Sequence, residues 1–262
     1  FRSVLGRLDC QAGNLASGIT HFRAALAARP GDVAVRCQLV RALHDSGLVA
    51  DALEACPDRL CRTDASLRLM RLRAYLLQQT GAYAESAAAY RIIVAVDTDD
   101  FESWNNLGNA LSAAGDAEGG LAALSKGAQL QPGNAPVGFN QAAAQVQLGR
   151  LDEAQATLQA YCRDFPTDEK PRVELAAICK IRGLDGEALQ WLEEAARLAP
   201  RDAELQVKLG LERQFAWQME GAEVALRAAT TLRPSLDEAH ILLALHLEHM
   251  NKASGIADVV RT

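Results

Sequence analysis

Apolar residues recur three and four positions apart along most of the chain, the period of a helix with one buried face. The stretch from Phe101 to Pro132 shows the pattern most clearly. Phe101, Trp104, Leu107 and Leu111 form a first run, Gly115-Asp116 interrupts it, and a second run through Leu124 and Leu130 stops at Pro132. A glycine just past the last periodic residue ends a helix cheaply, because it accepts a left-handed backbone. A proline cannot continue a helix and constrains the residue before it. The stretch therefore predicts two short antiparallel helices. No segment alternates apolar and polar residues with the Val, Ile, Thr and Tyr content of strands. The pattern predicts an all-α chain.

The punctuation repeats. Gly13, Gly47, Gly81, Gly115, Gly149 and Gly183 each stand 34 residues after the last, and Pro30, Pro132, Pro166, Pro200 and Pro234 lie on a grid of the same spacing. The two grid points without proline hold Asp64 and Thr98, which also tolerate turns. Eight units follow, near residues 1–32, 33–66, 67–100, 101–134, 135–168, 169–202, 203–236 and a shortened 237–262. One helix pair cannot bury its apolar face alone, so such units stack, and a single array over 1–262 is expected. Departures from the grid predict local differences. Pro57 falls inside the second helix of the second unit and should kink or shorten it. Arg73 and Gln141 stand where Leu107 supplies a large apolar side chain, so packing there should differ. Trp217 occupies the place of the turn glycine, and the seventh unit is expected to turn differently.

The spacing Trp104, Leu107, Gly108, Leu111, Gly115, Leu124, Pro132 resembles the tetratricopeptide-repeat signature. Leu5-Gly6, Phe22, Ala25 and Pro30 repeat parts of it in the first unit, and Leu209-Gly210, Ala222, Ala229 and Pro234 in the seventh. The resemblance implies a right-handed superhelical solenoid of antiparallel helix pairs, with the first helix of each pair lining a concave face that binds another polypeptide. It implies no catalysis.

Composition narrows the function. About half of the residues are apolar, which excludes a disordered chain, and the net charge of −6 weighs against nucleic acid. Charge is uneven: residues 1–91 hold 12 basic and 8 acidic side chains, residues 92–262 hold 15 and 25. The six cysteines, Cys10, Cys37, Cys56, Cys61, Cys162 and Cys179, form no Cys-x-x-Cys pair and read as small buried apolar residues. No apolar run reaches membrane-spanning length, and a cytoplasmic location is expected. No phosphate loop, dinucleotide fingerprint or Gly-x-Ser-x-Gly turn is present. His240, His246 and His249 lack companion ligands, so neither metal nor cofactor is expected. Arginine outnumbers lysine 22 to 5, which with the alanine content points to a bacterial source.

What remains is the first-helix face that the resemblance singles out. Its candidate residues are Arg41, then Arg68, Arg71 and Tyr75, then Asn105, Asn106 and Asn109, then Phe139, Asn140 and Lys170. The arginines with Tyr75 suit an acidic or carboxylate-bearing segment. Asn106 and Asn140 share one repeat position and resemble two rungs of the asparagine ladder in O-linked N-acetylglucosamine transferases. Asn109, Asn140 and Lys170 match part of a chaperone-type carboxylate clamp, but Asn105 and Glu174 hold the places of two of its cations. The leading reading is an interaction scaffold that holds an extended or helical partner segment. The alternative is the substrate-recruiting arm of a larger bacterial enzyme, such as a protein sulfotransferase or glycosyltransferase. Both ends read as cut within the repeat, and the stretch from Ala253 through Ile256, Val259 and Val260 reads as an uncapped second helix suited to end-to-end self-association.

Overall fold

A computed structural model describes residues 1–61, 67–131, 133 and 135–250. Among them lie sixteen helical segments and no strand. In chain order these are α1 (Arg2–Gln11), α2 (Leu15–Ala28), α3 (Val33–Asp45), α4 (Val49–Ala55), α5 (Asp58–Cys61), α6 (Leu67–Gln79), α7 (Tyr83–Val96) and α8 (Phe101–Ala113). They continue as α9 (Ala117–Leu130), α10 (Ala135–Gln147), α11 (Leu151–Asp164), α12 (Lys170–Ile181), α13 (Asp185–Leu198), α14 (Ala203–Phe215), α15 (Met219–Leu232) and α16 (Asp237–His249). The chain is an all-α repeat array. Its contacts divide it into two compact units, residues 1–148 and 149–262. The expected helix from Ala253 and the grid positions Asp64 and Pro132 lie outside the described residues. No described helix is long and apolar enough to cross a membrane.

Three first helices, α3, α8 and α14, start where an aspartate accepts a backbone N–H: Asp32 from Val35, Asp100 from Ser103 and Asp202 from Leu205. The first helix of a pair ends in a left-handed turn. Gly115 takes φ 92°, and the next amide, of Asp116, donates back to Leu111 at 2.9 Å. Small residues then let the two helices close: a Cβ on Gly108 would stand 2.8 Å from the Gly120 carbonyl oxygen. Ala154, Ala188 and Ala222 are fully buried at corresponding positions of the second helices. The core of residues 1–148 centres on Phe22, Leu43, Leu69, Leu76, Tyr90 and Ile93, and that of 149–262 on Leu158, Leu175, Ile178, Leu226 and Leu243.

Pro57 breaks its helix as the sequence predicts. α4 has 7 residues where α2, α7, α9, α11, α13 and α15 each have 14, and the four-residue α5 follows the break. The carbonyls freed at the break are taken up by neighbouring first helices. Arg36 donates to Ala55 at 3.0 Å, and Arg73 donates to Cys56 at 3.1 Å. Arg73 thus replaces the repeat's apolar residue because a carbonyl needs a donor there. Gln141 departs for a smaller reason, donating to the Ser125 hydroxyl at 3.2 Å.

Trp217 requires a correction. The seventh unit does not turn differently: Trp217 holds φ 58°, and Gln218 donates back to Arg213 at 2.8 Å, the same bond that closes the glycine turns. The turn is dictated by the packing of the helices it joins, and the tryptophan backbone is forced to comply.

Candidate functional site

Within residues 1–148, α3, α6, α8 and α10 are the first helices of successive pairs, and α3 packs against α6. On α3, Cys37, Arg41 and His44 recur at helical spacing, and on α6, Arg68, Arg71 and Tyr75 do the same. Cys37 is buried, which raises its thiol pKa, while the Arg41 and Arg68 guanidiniums act against that shift. Two cations from adjacent first helices thus act on one buried thiol. Both are exposed, and among the described residues neither joins an ion pair. Tyr75, 41% exposed, meets the His44 ring edge-on with centroids 5.5 Å apart. His44 also meets Asp45 at 3.3 Å.

Arg71 is employed differently. Its Nη2 lies 2.8 Å from Asp97 and 2.7 Å from Asp100, while Nε donates to Asp100 at 2.8 Å. Asp100 is the N-cap of α8 and also accepts the Ser103 hydroxyl at 2.6 Å. Burial alone would raise the Asp100 carboxyl, but the hydrogen bonds of Ser103 and Arg71 outweigh it and hold its pKa below the ordinary carboxylate value. Arg71 fastens α6 to the start of α8, so its charge is already answered within the chain.

Tetratricopeptide-repeat family models match residues 4–63 and 71–135, and 111–178. The chain belongs to the tetratricopeptide-repeat family. Such repeats generally mediate protein–protein interaction. No curated protein matches at the sequence level. Among solved structures the chain is similar to a tetratricopeptide repeat protein from Parabacteroides merdae, with 16% identity over 94% of this chain and 97% of that one and a TM-score of 0.71. It is similar to the C-terminal part of a repeat protein from Cytophaga hutchinsonii, with 14% identity, 90% and 96% coverage and a TM-score of 0.68. Yeast Tom70 gives 14% identity over 94% of this chain and 54% of Tom70, with a TM-score of 0.66. At these identities the likeness shows the fold.

The amides of this tetratricopeptide array are partly occupied by the chain itself. Asn140 of α10 donates to Asn105 of α8 at 2.9 Å, joining adjacent first helices. Asn106 makes a side-chain hydrogen bond to the Tyr90 hydroxyl; burial pushes that phenol above its ordinary pKa, and the amide opposes the shift. Asn106 and Asn140 share a repeat position yet serve different bonds. Asn109 and Phe139 are half-buried on the same helices. Lys170 belongs to the unit of residues 149–262, where it is exposed at the start of α12.

Sequence reasoning missed the ties of Arg71, although Asp100 three residues before Ser103 is a visible N-cap signal. Among the described residues no group of three or more His, Cys, Asp or Glu is arranged to hold a metal ion. Cys37 and Cys179 are free and buried, Cys56 is buried, and Cys10 and Cys162 are free and partly buried.

Proposed function

We propose that this protein is an interaction module whose first-helix face, from α3 to α10, holds an extended or helical acidic segment of a partner polypeptide. The observation that carries this reading is the pair Arg41 and Arg68, exposed on neighbouring helices and outside every ion pair among the described residues. Exposed guanidiniums bind carboxylates in charge-assisted pairs, and they steer encounter over distance. Tyr75 offers an apolar contact beside them, and Asn109 adds an amide that can both donate and accept. Arg71 contributes indirectly, by fixing α6 against α8.

The test uses a fluorescein-labelled peptide with glutamate at alternate positions, followed by anisotropy. The double variant Arg41→Glu with Arg68→Glu should bind at least about tenfold more weakly than wild type. Wild-type affinity should fall as salt rises from about 50 to 300 mM, because exposed charges are screened over that range. Equal affinity of the double variant and wild type would place binding elsewhere.

A further inference from the structure

The turn between α14 and α15 places a bulky residue where glycine is favoured. Trp217 keeps a left-handed φ of 58°, a conformation that a bulky side chain adopts only under strain. Burial does not compensate, since Trp217 is 78% exposed and Phe215, two residues earlier, is 69% exposed. Both rings line a cleft of about 330 Å³, together with Met219, Leu242, Leu245 and His249. Gln214 and the buried His246, hydrogen-bonded at 2.7 Å, also line it.

Three glutamates stand next to the lining residues along α15 and α16. Glu220 follows Met219, Glu248 precedes His249, and Glu238 lies one turn before Leu242 on the same face of α16. All three are exposed, and none joins an ion pair among the described residues. Lys180 stands 5.0 Å over the Phe215 ring, but Asp185 and Glu212 answer its charge, and Arg213 is paired with Glu193. Lys208 lies two turns from Phe215 along α14.

We propose that this cleft docks a segment of another polypeptide that presents a bulky apolar side chain flanked by lysine or arginine. Tryptophan offers a large contact area for few rotatable bonds, which is why it dominates binding energy at interfaces. Met219 adapts its shape to an inserted side chain. The three glutamates select basic flanks and reject acidic ones. The site is distinct from the Arg41/Arg68 face, which takes the opposite charge.

Anisotropy of two labelled helical peptides, leucine on one face and either lysine or glutamate on the other, tests the proposal. The lysine peptide should bind at least about tenfold more tightly than the glutamate peptide. Trp217→Gly and, separately, Leu245→Lys should each weaken it by a similar factor, and Trp217→Gly should melt no lower than wild type. Three results would each overturn the proposal: no binding of the lysine peptide, equal binding of both peptides, or undiminished binding by both variants. A concentration-dependent dimer in light scattering that Trp217→Gly abolishes would overturn it too, by making a second copy the occupant.

Discussion

Two residues break the repeat, and the chain treats them in opposite ways. Pro57 shortens α4 to 7 residues, and Arg36 and Arg73 reach across to the carbonyls it strands. Trp217 forces a left-handed backbone on a bulky residue, and its side chain stays in solvent. The first irregularity is balanced by its neighbours and belongs to stability. The second leaves its ring 78% exposed beside the cleft proposed to dock a partner. An unusual residue is informative about function chiefly when nothing around it depends on it.

An intact pair sets the scale. Leu175 is fully buried in α12, and Leu175→Ala should cost about 2–5 kcal/mol in chemical denaturation, as for other core leucines that leave cavities. A cost below about 1 kcal/mol would mean that this core is loosely packed. Next in size is the repair at Pro57. Arg73→Ala leaves the Cys56 carbonyl without its guanidinium and should cost about 1–3 kcal/mol. In a Pro57→Ala background the same substitution should cost much less, since a continuous helix satisfies its own carbonyls. A double-mutant cycle with no coupling would show that Arg73 is not a repair at all.

At Trp217 a gain is expected. Trp217→Gly should stabilise the chain by roughly 1–2 kcal/mol, the cost of a left-handed residue that carries a side chain. Destabilisation would reveal that the exposed indole makes contacts the strain argument ignores. The smallest effect concerns Asp100. Its folded-state pKa lies below the unfolded value of about 3.9, so its contribution to stability is whole above that value. That contribution is lost as pH falls through the folded pKa. Arg71→Ala should raise the Asp100 pKa and move acid unfolding to higher pH, readable by side-chain carboxyl NMR. An unchanged Asp100 titration would show that Ser103 alone sets it.

The helix pairs were legible because their signals are local. A glycine every 34 residues and a proline at unit ends act through the backbone of the residue itself. The break at Pro57 was legible for the same reason. The turn at Trp217 was misread because local preference disfavours a left-handed tryptophan, while the packing of α14 against α15 overrides it. On the candidate surface, spacing alone places Arg41, Arg68 and Tyr75 on first helices. The engagement of Arg71 and the Asn105–Asn140 bond were hidden, because their partners lie 26 to 35 residues away and depend on side-chain reach across helices.

The repair at Pro57 also has an order in time. A nascent chain emerges N-terminus first, and contacts between near neighbours form quickly. Cys56 leaves the ribosome 17 residues before Arg73, the donor that answers its carbonyl. The second pair therefore cannot finish when its own residues are made; it waits for the third. Every pair needs a neighbour to bury its apolar face, and this one needs its neighbour for a backbone carbonyl as well.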